Sequence, residues 1–133
     1  MKNTKSIKKN HLFKGLYNKG KSNVSPYFAL YSRKNRPFEG NEGNFLGITV
    51  GVKLGNAVCR NKVRRRISAI YRLEESNIKK GYHIVVVARN RCANAKYSQM
   101  EESLLRLLDQ AGLTLTSKFP LEDHKKRKKG KTM

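Results

Sequence analysis

The sequence predicts an α/β sandwich, one sheet carrying helices, and three observations predict it. Two long segments, 57–72 and 97–111, place apolar residues at steps of three and four, the period of a helix with one buried face. Three runs, 24–32, 45–52 and 82–89, are rich in β-branched and aromatic residues and bounded by turn formers. With a short helix expected near the start, the order is helix, strand, strand, helix, strand, helix, which packs as helices on one sheet. At 133 residues and 38% hydrophobic content, the chain suits one domain with a modest core. That domain is expected over 1–113, followed by a basic tail at 114–133.

Met1 to Ile7 reads as a loose basic arm. Asn10 to Tyr17 can form a short helix with an apolar stripe of Leu12, Phe13, Leu16 and Tyr17, ended by Gly20. Val24 to Ser32 reads as a strand with Phe28 and Leu30 on one face and Tyr27, Ala29 and Tyr31 on the other. Arg33 to Asn44 is a polar loop. Phe45 to Val52 is nearly all apolar or small, as in a central strand. Gly55-Asn56 is a turn signal with a good N-cap, and the helix it opens runs to about Glu75–Asn77. Tyr82 to Arg89 is the most β-prone run. Tyr97 to Ala111 forms the last helix, with Met100, Leu104, Leu107 and Leu108 inward, Glu101, Glu102 and Asp109 outward, and Gly112 at its end. Patterning fades from Thr114, and Lys125–Lys131 is a polybasic run expected to be disordered by itself.

Charge dominates the functional reading. Thirty Lys and Arg stand against nine Asp and Glu, a formal net charge of +21. Such a chain repels itself and is drawn to polyanions, nucleic acid first. A membrane is the rival surface, but no segment approaches the length of a span, and the polar, basic start has no secretory apolar region. The charge concentrates in Lys53–Arg72, with seven cations and no acid. Cys59, Val63, Ile67, Ile70 and Tyr71 make its apolar face; Arg60, Asn61, Arg64, Arg65, Ser68 and Arg72 fall opposite. These charges oppose the helix: cations sit at its positive end and Glu74 and Glu75 at its negative end, each costing about 0.3–1 kcal/mol. The like-charge pairs Arg60–Arg64 and Lys62–Arg66 cost about 0.2–0.5 kcal/mol each. A polyanion against the exposed face explains the arrangement.

Protein-borne chemistry is hard to assemble. His11, His83 and His124 have no ligand-spaced neighbours. The acid pairs Glu39/Glu42 and Glu101/Glu102 read as loop and helix-surface charges, whereas a metal nuclease needs carboxylates to hold its ions. No phosphate-binding glycine loop or zinc spacing occurs. Cys59 and Cys92 are not spaced as a redox pair and read as a helix and a loop residue in a reducing compartment. No catalytic residue and no protein-held metal are therefore expected. What remains is binding: cations for phosphates, and aromatics for bases. Phe13 and Tyr17 share a face at i,i+4 and Tyr31 lies on a neighbouring strand, a platform of the kind that stacks single-stranded bases. The same rings would equally serve to pack a small helix on the sheet. Charge and fold by themselves support a general RNA-binding or ribosomal protein.

The run Gly55-Asn56-Ala57-Val58-x-Arg60-Asn61-Lys62-Val63-Arg64-Arg65 resembles the arginine-asparagine-arginine signature of the bacterial ribonuclease P protein component. The likeness spans about residues 8–112 and takes in Lys8-Lys9-Asn10-x-x-Phe13 with Tyr17, Phe28-Ala29-Leu30-Tyr31, and Val86-Val87-Ala88-Arg89. It implies a fold like ribosomal protein S5 domain 2, with a left-handed βαβ crossover that runs against the usual hand. It also implies a cytoplasmic accessory subunit of a ribonucleoprotein endoribonuclease. There the catalytic RNA, with Mg²⁺, removes the 5′ leader of precursor tRNA, and no obligate protein partner or membrane is involved. Carried over, Lys53, Asn56, Arg60, Asn61, Lys62, Arg64 and Arg65 would contact the RNA subunit. Phe13, Tyr17, Tyr31 and Arg89 would line the leader cleft. Three positions depart: Val52 and Ser68 stand where relatives carry basic residues, and Arg66 where an apolar residue is usual.

Overall fold

The computed structural model describes residues 4–7, 20–36, 43–117 and 119. The helix expected at Asn10–Tyr17, with Phe13 and Tyr17, lies outside the described residues, as do Glu39, Glu42 and the Lys125–Lys131 run. The described elements are β1 (Thr4–Ser6), β2 (Lys21–Val24), β3 (Phe28–Lys34), β4 (Asn44–Val50), α1 (Ala57–Glu74), β5 (Tyr82–Ala88) and α2 (Tyr97–Gln110). Short 3₁₀ turns precede α1 at Val52–Leu54, follow it at Glu75–Asn77, and link β5 to α2 at Asn90–Asn94.

The five strands form one mixed sheet in the order β1-β4-β5-β3-β2. β4 runs parallel to β5 and β1; β3 is antiparallel to β5 and β2. Parallel neighbours need a crossover, and α1 is the one between β4 and β5. The α/β class is therefore as expected, and three strand details differ. The strand expected at 24–32 is two, β2 and β3, folded as a hairpin. Pro26 cannot donate to a ladder, and the Ser25 hydroxyl instead accepts from the Tyr27 and Phe28 amides at 3.3 and 3.0 Å, making the turn. Thr4–Ser6, expected in a loose arm, pairs with Asn44–Leu46 as an edge strand, and Ile7 beyond it is buried. Arg89 lies one residue past the end of β5.

Strand alternation divides the core. Phe28 and Leu30, Leu46 and Val50, and Ile84, Val86 and Ala88 face one layer that holds both helices: Val63, Ile67, Ile70 and Tyr71 of α1, and Met100, Leu104, Leu107 and Leu108 of α2. A smaller cluster on the opposite face joins buried Ile7 and Val85 to half-buried Tyr31, Phe45 and Val87. Burying one such aliphatic side chain is worth about 1.5–3 kcal/mol. The stripe of α1 therefore outweighs the like-charge costs on its outer face.

The far end of α1 is held by polar contacts. Tyr71 is fully buried; its hydroxyl lies 3.1 Å from Thr4 Oγ1 and accepts from Asn44 Nδ2 at 3.2 Å. Burial pushes its pKa up, against the opposing effect of those two hydrogen bonds. Glu75, an unfavourable charge by dipole alone, accepts from the Thr4 hydroxyl at 2.6 Å and so ties α1 to β1. Past the helices, Leu113 is buried and Thr114 bridges to Ile78. The Asn77 amide exchanges two hydrogen bonds with the backbone of Thr116, at 2.9 and 3.0 Å. Asp109, expected to face outward, is half-buried and accepts from Thr114 and Ser117, at 2.8 Å each. The chain is thus tied down several residues past the point where patterning fades.

Candidate nucleic-acid interface

Helix α1 starts where two local requirements meet. Gly55 has φ 141°, a conformation open to glycine, and a Cβ there would stand 3.2 Å from Cys59 Cβ. Asn56 follows in an extended conformation, and its side-chain oxygen accepts from the Cys59 amide at 2.9 Å. Asn56, expected as an RNA contact, thus serves as the helix cap through its side-chain oxygen.

With the inner stripe buried, the rest of α1 is a surface of cations. Lys62, Arg64, Arg65 and Arg72 are exposed, as are Asn61 on the helix and Lys53 on the turn before it; Arg60 and Arg66 are half-buried. Among the described residues, the side chains of Lys53, Arg60, Lys62, Arg64 and Arg65 have no hydrogen-bond or ion-pair partner. Arg60 Nε is enclosed and unpartnered as well, although a buried donor left unmet costs about 1–3 kcal/mol. Arg66 differs: its Nη1 donates to the Ala95 carbonyl at 3.2 Å, bridging α1 to the segment before α2. Two apolar residues, Val52 and Val58, stand exposed at this end of the helix.

Tyr31 sits on the opposite face of the sheet from α1, so the structure separates the two sets of expected contacts. Phe45 is beside it in the same cluster and stacks on His83, with centroids 4.5 Å apart and planes 21° off parallel. Neither Phe45 nor His83 was singled out from the sequence for this face. The signal was present in strand parity, since Leu46 and Ile84 point to the helices and their predecessors must point away. Arg89 is exposed at the strand end, its amide bonded to Tyr27 O and its Nη1 to Ser25 O, both at 2.8 Å. It stands beyond the Phe28–Ala88 pair, whereas Tyr31 pairs with Val85 farther along the strand. Cys59 and Cys92 are both free. Cys92, expected as a loop residue, lies in the Asn90–Asn94 turn and is buried with Sγ donating to Tyr27 O at 3.0 Å, and burial pushes its thiol up to about 11.

Among the described residues no three His, Cys, Asp or Glu gather to hold a metal ion, and no helix is long and apolar enough to cross a membrane. The fold and this surface define a small basic α/β protein with an uncompensated cationic helix, suited to a polyanionic partner.

Comparison with known proteins makes the class particular. A family model described as Ribonuclease P matches residues 1–112, and the chain belongs to that family of ribonuclease P protein components. It is 42% identical over 113 residues to the ribonuclease P protein component of Clostridium novyi, covering 85% of this chain and 98% of that one. Against the corresponding protein of Clostridium acetobutylicum it is 40% identical over 109 residues, covering 82% and 90%. The solved ribonuclease P protein of Staphylococcus aureus superposes with a TM-score of 0.75 at 36% identity, covering 82% of this chain and 96% of that one. That of Thermotoga maritima gives 0.70 at 31%, covering 80% and 96%. The chain is accordingly the protein component of an endoribonuclease ribonucleoprotein that processes tRNA.

Proposed function

We propose that the outer face of α1 docks on the catalytic RNA and that the opposite face of the sheet receives the single-stranded 5′ leader of precursor tRNA. Binding both, the protein promotes endonucleolytic removal of the leader. The observation that carries this reading is the acid-free face of α1, with Lys53, Arg60, Lys62, Arg64 and Arg65 all lacking a partner among the described residues. Free cations at this density suit a phosphate backbone, whose displaced counterions drive binding. Exposed Asn61 adds a donor and an acceptor for base edges or 2′-hydroxyls. On the other face, Tyr31 and Phe45 supply rings for stacking, and Arg89, just past the end of β5, supplies a cation for leader phosphates.

The RNA performs the phosphodiester hydrolysis in this reading, with Mg²⁺ entering through the RNA. Adding the protein to a bacterial ribonuclease P RNA at low Mg²⁺ should restore cleavage of a precursor tRNA. No restoration would sink the proposal in favour of a general RNA-binding role, and cutting by the protein alone would contradict RNA-borne chemistry. The leader assignment has its own readout. Tyr31→Ala should lower the preference for precursor over mature tRNA, because stacking is worth about 1–3 kcal/mol per base; equal weakening for both would make Tyr31 a packing residue.

A further inference from the structure

A cavity of about 300 Å³ opens where α1 meets the connection from β5 to α2; Lys62, Arg66 and Lys96 line it, with Asn94, Cys59 and Cys92 among its other walls. We infer that this cavity is a phosphate pocket, taking a backbone phosphate of the RNA that docks on α1. The inference rests on the docking proposed above, and it extends that surface off the helix onto Asn94–Lys96.

The position follows from topology. β4 and β5 are parallel, so α1 and the Asn90–Asn94 turn both leave the sheet at the same end, at the carboxyl ends of the strands. Three cations from two elements line the cavity, and no carboxylate does. Arg66 is fixed by its hydrogen bond to Ala95 O, which uses one of five guanidinium donors and leaves the others available. Lys96 is exposed at the N-cap position of α2, where the Gln99 side chain accepts from its amide at 2.9 Å and the first turn carries no acid; the positive end of that helix adds to the field. Nothing anionic opposes a phosphate, since the Cys92 thiol, pushed up to about 11, stays protonated near neutrality. The volume exceeds that of a single water, which takes about 30 Å³ of the liquid.

The test is the affinity of the full-length protein for a ribonuclease P RNA, measured across a series of salt concentrations. Lys96→Gln should weaken binding by about 3–10-fold and reduce the salt slope by about 0.7–0.9, the change expected when one phosphate is no longer neutralised. Arg66→Gln should do the same, while Lys80→Gln, an exposed charge at the other end of β5, should leave the slope unchanged. Since Arg66 also bridges two elements, exposed Lys96 gives the decisive variant, with melting temperature confirming its fold. Alkylation of Cys59 by iodoacetamide gives an independent readout: RNA should slow it in the wild type and protect less in Lys96→Gln. Unchanged affinity and slope for Lys96→Gln, with Arg65→Gln still weakening the complex, would overturn the pocket and leave the docking surface standing. Failure of the wild-type protein to bind the RNA would overturn both.

Discussion

Helices α1 and α2 lie in one layer on one face of the sheet, and each buries an apolar stripe there. Their outer faces follow opposite rules. On α2, Glu102 and Arg106 form an i,i+4 pair at 3.0 Å. Gln99 accepts from the Lys96 amide at the N-terminus. Asp109 near the C-terminus holds Thr114 and Ser117, and the Arg106 guanidinium lies 4.4 Å from the centre of the Phe119 ring. These charges find partners within the chain. On α1, five cations on or beside the helix find none among the described residues, and the like-charge spacings work against the helix. Stability in α1 is carried by its inner face and its cap, which leaves the outer face free to be set by something outside the chain.

That contrast can be broken by exchanging charges. Reversing two cations of α1 together, Arg64→Glu with Arg65→Glu, should give the largest effect: RNA affinity falls by about 100-fold or more, because two attractions to phosphate become repulsions. The melting temperature should hold or rise, because the like-charge i,i+4 pair Arg60–Arg64 becomes an opposite-charge pair. A fall in both would mean that the arginines serve the fold. On α2, Glu102→Lys should give the smallest effect. It removes one i,i+4 pair worth about 0.2–0.5 kcal/mol, read as a slightly lower melting temperature, and should leave RNA affinity within about twofold. Should this added lysine tighten RNA binding as strongly as the α1 reversal weakens it, net charge alone would govern binding and the two helices would be equivalent.

Much of this was legible in the chain because α1 is locally overdetermined. Gly55 and Asn56 mark its start, and Val63, Ile67, Ile70 and Tyr71 mark its inner face without reference to the rest of the molecule. The edge strands were not legible: Thr-Lys-Ser and Lys-Ser-Asn-Val carry no alternation, and only the neighbours they pair with make them strands. Arg66 shows the same limit at the site. Its angle on the helix could be read from the period, whereas its bond to Ala95 depends on a turn folded 29 residues later. It turns toward the groove beside α2. The resemblance to ribonuclease P proteins, carried by contiguous residues of α1, was legible for the same reason that the helix was.

Whether the cations of α1 are where the RNA binds is tested most directly by the salt dependence of RNA-subunit binding. The comparison is the wild type against Arg60→Gln, Arg64→Gln and Arg65→Gln combined. The slope of log affinity against log salt should fall by about 2–3, close to one for each phosphate the variant leaves unneutralised, with the fold intact by circular dichroism. An unchanged slope in a folded triple variant would contradict this, because the RNA would then be bound somewhere other than α1.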